Sequence, residues 1–171
     1  GNVCLSVNEL ADYFGYGYQW DDEMNTAKLE TPEEDSEPLP AKYDLREYGR
    51  VSEVRDQGSW GTCWAFAALS ALESSLLPNQ KWEFSVDHLA MDNGFNARLD
   101  DGGDYNMALA YMTSWTGPVT EKQDPYGDGK YEEDLNAAVH LQDAVIINER
   151  DFDQIKKLIM TYGAVQSAIY S

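Results

Sequence analysis

Asp56-Gln57-Gly58-Ser59-Trp60-Gly61-Thr62-Cys63-Trp64-Ala65-Phe66 changes character halfway along its length. The first half is a tight loop broken by two glycines. The second half opens an apolar run, Cys63 to Glu73, rich in strong helix formers at helical spacing. Cys63 is therefore expected at a helix N-terminus, where unpaired backbone N–H groups and the macrodipole favour an anion such as a thiolate. The thiolate is the form of cysteine that attacks carbonyl carbon. Gln57, six residues upstream, carries a neutral amide that can turn toward a developing oxyanion. Burial habit alone favours a different role for Cys63, a small residue packed beneath a core helix.

The run Gln57-Gly58-x-x-Gly61-Thr62-Cys63-Trp64-Ala65-Phe66 resembles the active-site segment of the papain-like cysteine peptidases. Two positions depart from that pattern. Thr62 stands where a Ser or Ala is usual, and Trp60 where a disulfide cysteine is usual, so that bridge is absent. The resemblance continues in order along the chain. Leu39-Pro40 and Tyr43-Asp44-Leu45-Arg46 are similar to the start of the mature family domain. Asp101-Gly102-Gly103-Asp104 resembles the loop that pairs with the substrate backbone, and Gly117-Pro118-Val119 and Asp124-Pro125-Tyr126 follow. Asp92 and Asp100 replace a second cysteine pair. The resemblance implies an α+β, papain-like two-subdomain fold, with the helical half present and the first strands of the β-barrel half. It implies Cys63 as nucleophile, Gln57 as oxyanion donor, and Gly61, Trp64, Gly102 and Gly103 as substrate-binding positions.

The chain has 171 residues, enough for one domain with an extension. Its 12 Lys plus Arg against 31 Asp plus Glu give a net charge of −19. Such a surface repels phosphate backbones and anionic lipids, so nucleic-acid binding is not expected. No run is long and apolar enough to span a bilayer, so no membrane insertion is expected either. Only Cys4 and Cys63 are present, and one bridge would have to use the nucleophile. Residues 1–38 form an acidic N-terminal extension, a propeptide remnant or a segment that packs by its aromatics. Ser6 and Glu9 suggest a capped helix there, and residues 30–38 a solvated linker. Residues 39–171 are read as the Cys-bearing portion of the peptidase domain.

Further on, Ser85 is expected to cap a short helix to Asp92, and Tyr105 to Trp115 to form another. The acidic run 124–134 lacks the ligands of a calcium loop and is expected to be a surface loop. No His/Cys cluster suits zinc, so neither metal nor cofactor is expected. Ala144–Ile147 and Ala164–Tyr170 have strand character. Between them lies a helix capped by Asp151, closed by Gly163, and apolar along Phe152, Ile155, Leu158 and Ile159. The carboxylates Asp100, Asp101 and Asp104 around the glycine pair favour substrates with Lys or Arg near the scissile bond.

A thiol nucleophile needs a base and a group to orient it. The family's His and Asn fall about 130–150 residues past the cysteine, beyond Ser171. Of the two histidines, His88 is expected at the surface or as a cap residue, and His140 lies too early to be the base. The function expected is therefore peptide-bond hydrolysis, with a second chain or a downstream segment of the same peptidase supplying His and Asn. The partners are that segment and a peptide or protein substrate. The alternatives are a papain-scaffold binding module without chemistry and an unrelated acidic domain with a buried cysteine. Secretion or a cell-surface location, and a bacterial type without the usual disulfides, follow from the resemblance alone.

Overall fold

The computed structural model describes residues 38–147 and 150–169, and of the preceding segment the strands 17–21 and 26–30. The chain divides into two compact units, Gly1–Pro38 and Leu39–Ser171. In the first, β1 (Gly17–Asp21) pairs antiparallel with β2 (Thr26–Glu30), Gly17 opposite Glu30 and Asp21 opposite Thr26. Tyr18, Trp20 and Thr26 carry the strand propensity, which the acidic composition of the segment obscures. The helix expected around Ser6 and Glu9 lies outside the described residues, as does most of the expected linker.

The second unit is built on α1 (Cys63–Leu76). Trp64, Ala65, Ala68 and Leu69 recur at i, i+1, i+4 and i+5, so they form one apolar stripe. The stripe packs against Phe84, against Val86, Leu89 and Ala90 of α2 (Val86–Met91), and against Ala108, Tyr111 and Met112 of α3 (Tyr105–Thr113). Leu69, Phe84 and Leu89 are wholly buried, and each contributes about 1.5–3 kcal/mol of transfer free energy. The caps follow local sequence. Ser85 Oγ accepts from the His88 N–H, and Asp104 from those of Asn106 and Met107. A short antiparallel contact, Ser85 N–H to Val119 O and Glu121 N–H to Glu83 O, closes this body.

α4 (Phe152–Tyr162) is capped by Asp151, which accepts from the N–H groups of Asp153 and Gln154, and it ends at Gly163. Its last carbonyls would otherwise lack partners; Arg50 Nη1 donates to those of Met160 and Thr161 at 3.0 and 3.2 Å. Ser74 of α1 joins the two, donating to Arg50 O at 2.6 Å and accepting from Ala164 N–H at 2.9 Å. Gly163 lies so close to Ser74 that a Cβ would sit 2.6 Å from its Oγ.

The apolar face of α4 is narrower than its sequence predicts. Ile155, Leu158 and Ile159 are half-buried, but Phe152 is exposed. The expected strands also differ. Neither 144–147 nor 164–169 forms a ladder, and Val145, Ile146 and Ile169 are exposed. Alternation favours an extended backbone, but a strand needs a hydrogen-bonded neighbour, and none of the described segments supplies one. The second segment runs along α1 instead, where Gln166 Nε2 donates to Trp64 O at 3.2 Å. No helix among the described residues is long and apolar enough to cross a membrane.

Candidate active site

Cys63 is the first residue of α1, and its backbone N–H has no acceptor within the helix. Its neighbours Thr62, Trp64 and Ala65 are buried, while Cys63 is exposed and carries no disulfide. Cys4, the other cysteine of the chain, lies outside the described residues. A free cysteine surfacing between buried neighbours runs against the burial habit of its type.

The loop ahead of Cys63 is fixed at several points. Gly58 has φ +61°, and its N–H donates to Asp56 Oδ1 at 2.8 Å. Gln57 Nε2 donates to Trp60 O at 2.8 Å, which orients the amide and leaves it a second N–H. Tyr126 Oη reaches both ends of the loop, 2.7 Å from Gln57 O and 2.7 Å from Thr62 Oγ1. At the base of the loop Arg55 donates to Phe84 O at 2.9 Å and pairs with Glu73 at 3.2 Å and Glu121 at 3.5 Å. Its guanidinium also lies over the Phe66 ring.

The glycine loop meets this structure directly. Gly61 packs on the backbone of Leu99 and Asp100, where an added Cβ would lie 3.0 Å from the first carbonyl oxygen. Gly103 lies against the Trp64 indole with no room for a Cβ, and Gly102 has φ +75° with open space around it. Gly61 and Trp64 thus lie close to Cys63 in the chain and carry the contacts to Asp100 and Gly103 of the glycine loop, while Gln57 is on the same short loop.

Neither histidine joins them. His88 is buried rather than at the surface, the first of the two positions expected for it; its backbone N–H takes part in the cap, donating to Ser85 Oγ. Its Nδ1 is 2.8 Å from Tyr111 Oη, and burial holds the imidazole below its ordinary pKa against the opposing pull of Asp92. His140 is exposed and stacks on Trp115. Among the described residues neither forms a hydrogen bond to Cys63. The run 124–134 is mostly exposed, as expected of a surface loop, but it is tied down at its start. Asp124 is buried and accepts from Ser85 Oγ, while Gly127 N–H donates to buried Asp87, whose carboxyl is pushed up by burial. No group of three or more His, Cys, Asp and Glu that could hold a metal occurs among the described residues.

Sequence reasoning does not reach Tyr126, Arg55, Glu73 or Glu121. Tyr126 stands within the Asp-Pro-Tyr run but with no role attached. Nothing in the local sequence ties it to a loop more than sixty residues away.

Residues 39–171 match the model of the family described as papain family cysteine protease. The chain is 32% identical over 148 residues to cathepsin L of Sarcophaga peregrina, covering 77% of this chain and 40% of that protein. To cysteine proteinase 15A of Pisum sativum it is 31% identical over 148 residues, covering 77% and 39%. Among solved structures it is similar to the clostridial cysteine protease Cwp84 after propeptide cleavage, with TM-score 0.65, 27% identity, and 71% and 34% of the two chains covered. It is also similar to digestive procathepsin L2 of Tenebrio molitor, with TM-score 0.65, 30% identity, and 75% and 42% covered. The chain spans about two fifths of the length of the curated relatives it matches.

Proposed function

The chain belongs to the papain family of cysteine proteases, its α+β fold represented mainly by the helical half, and from that premise we propose that it carries the nucleophile of a cysteine peptidase. The observation that supports this most directly is the free, exposed thiol of Cys63 at the start of α1 between buried neighbours. In this reading the Cys63 thiolate attacks the scissile carbonyl carbon and forms a C–S bond. The carbonyl electrons move to oxygen, and the oxyanion is met by the second Gln57 Nε2–H and the Cys63 backbone N–H. Collapse expels the amine, which takes a proton from a general acid, and water then cleaves the thioester. Gly61, Trp64, Gly102 and Gly103 provide the surface for substrate backbone, since glycine permits close main-chain approach.

The acid–base role belongs to neither His88, buried against Tyr111, nor His140, stacked on Trp115. The family pattern assigns it to a His with its Asn or Asp beyond Ser171, on a following segment or second chain. The exposed apolar residues Val145, Ile146, Val165 and Ile169 support a further segment packing there. A secreted or cell-surface location and a bacterial type are supported by the similarity to Cwp84, described as a surface layer associated protein of Clostridium difficile.

The test is labelling with an irreversible thiol-directed peptide inhibitor, alongside turnover of peptides by the full-length peptidase and its Cys63→Ala variant. Labelling at Cys63 and loss of turnover in the variant are expected. A thiol that is never labelled would favour a binding module on the same scaffold, and undiminished turnover by Cys63→Ala would remove the assignment.

A further inference from the structure

Tyr126 has a single hydroxyl hydrogen and two oxygen partners. Gln57 O is a carbonyl and can only accept, so the Tyr126 hydrogen goes there, and Thr62 must then donate to Tyr126 Oη. The chain of bonds therefore runs Thr62 Oγ1–H to Tyr126 Oη–H to Gln57 O, each 2.7 Å long. It closes the loop Gln57–Thr62 from outside. That loop contains Gly58 and Gly61, which leave its backbone the widest conformational freedom.

Thr62 shows that this tie displaces another. It is the N-cap of α1, where a threonine hydroxyl ordinarily accepts from the second or third helical N–H. Here it makes no such bond. It is wholly buried, and its hydroxyl is given to Tyr126 instead. Tyr126 itself is held firmly. Its N–H donates to Glu121 Oε1 at 2.8 Å, its ring packs edge-on to Phe66 at 4.9 Å, and the next residue, Gly127, is bonded to Asp87.

We propose that Tyr126 is a positioning residue for the oxyanion donors, its hydroxyl fixing Gln57 relative to Thr62 and hence to the Cys63 backbone N–H. The inference rests on the assignment of Cys63 and Gln57 made above. Tyr126 makes no hydrogen bond to Cys63 among the described residues; it acts through the separation of the two donors. Donors aimed at a developing charge lose most of their effect when displaced by about 1 Å.

The test uses the full-length peptidase, measuring kcat and KM separately for one peptide substrate. Tyr126→Phe keeps the ring and removes the hydroxyl. It is expected to lower kcat about tenfold, less than the 10²–10³ of losing a donor outright, with KM within about twofold. Thr62→Val, which breaks the other half of the tie, is expected to act in the same direction, and Thr62→Ser to restore turnover relative to it. In a Gln57→Ala background, Tyr126→Phe is expected to have little further effect, because the donor it positions is gone. Unchanged kcat in Tyr126→Phe, or full additivity with Gln57→Ala, would overturn the proposal even if Cys63→Ala is inactive. An active Cys63→Ala would overturn the underlying assignment instead. Should Tyr126→Phe fail to fold, the Thr62→Val and Thr62→Ser pair decides on the same kcat readout.

Discussion

The Glu73 carboxylate, almost completely buried in α1, lies 3.2 Å from the guanidinium of Arg55, the residue directly before Asp56-Gln57. Glu73 Oε1 also accepts from Phe84 N–H at 3.0 Å, and Arg55 donates to Phe84 O. The pair thus ties the start of the active-site loop to both the central helix and the segment ahead of α2. Removing Glu73 leaves Phe84 N–H without its acceptor and Arg55 with Glu121 as its one remaining carboxylate, 3.5 Å away, which costs less than the about 3–5 kcal/mol of a buried charge left with no partner. Glu73→Ala should therefore lower the unfolding free energy from urea denaturation by about 1–3 kcal/mol, seen as a lower midpoint at an unchanged slope. A double-mutant cycle with Arg55→Ala should show strong coupling. Additive losses would mean that the two side chains act independently.

Gly103 allows a sharper test of the glycine loop. A Cβ there would sit 2.7 Å from Trp64 Cδ2 and Nε1. Gly103→Ala must move either the loop or the indole beside Cys63, at about 1–3 kcal/mol. An increased KM for peptides is expected with it. Gly94→Ala is the control: φ is +79° with nothing nearby, so backbone strain of about 1–2 kcal/mol is expected without a change in KM. Equal KM effects from both would detach the glycine loop from substrate binding.

These two sites mark how far the sequence could be read. The start of α1, the glycine-broken loop ahead of it and the caps Ser85, Asp151 and Gly163 depend on neighbours within a few residues, so local pattern reveals them. His88 escapes such a reading because its burial is set by Tyr111, 23 residues away. The tie from Tyr126 to Gln57 and Thr62 spans 69 and 64 residues. Alternation along 164–169 records a preference for extended backbone, but a ladder requires a partner that local pattern cannot supply.

His88 also predicts a pH dependence. Its imidazole is held below the ordinary value of 6.5 by burial first, with Asp92 and Asp124 opposing. The unfolded chain takes its proton near 6.5 and the folded chain only at lower pH, so between the two values the unfolded state binds more protons. Stability from this group is therefore present above that window and is lost as pH falls through it. Asp87 and Glu121, pushed up by burial, have the opposite sign, losing stability as pH rises above the ordinary carboxylate range. Comparison with His88→Gln separates them. The variant should be less stable than the parent at pH 7, and the gap should narrow toward pH 5. A gap that stays constant would show that His88 does not titrate differently on folding.

For selectivity toward basic substrates, two of the three carboxylates around the glycine pair already accept backbone N–H groups. Asp104 is occupied as the cap of α3, accepting from Asn106 and Met107 N–H, and Asp101 accepts from Arg98 N–H. Asp100 is exposed and has no hydrogen bond or ion pair among the described residues, while its backbone carbonyl packs on Gly61 beside Cys63. It is the carboxylate free to meet a basic substrate side chain. An exposed charge pair contributes about 0.2–1 kcal/mol, so Asp100→Asn should lower kcat/KM for peptides with Lys or Arg near the cleaved bond by at most about fivefold. Peptides with acidic or neutral residues there should not lose activity. At about 1 M salt, where the screening length falls to about 3 Å, the preference should fade in the parent protein as well. Asp104→Asn should change selectivity less than Asp100→Asn, because one of its carboxylate oxygens is held by the N–H groups at the start of α3. A preference for basic peptides that survives Asp100→Asn, or that ignores salt, would place selectivity in the shape of the cleft rather than in this charge.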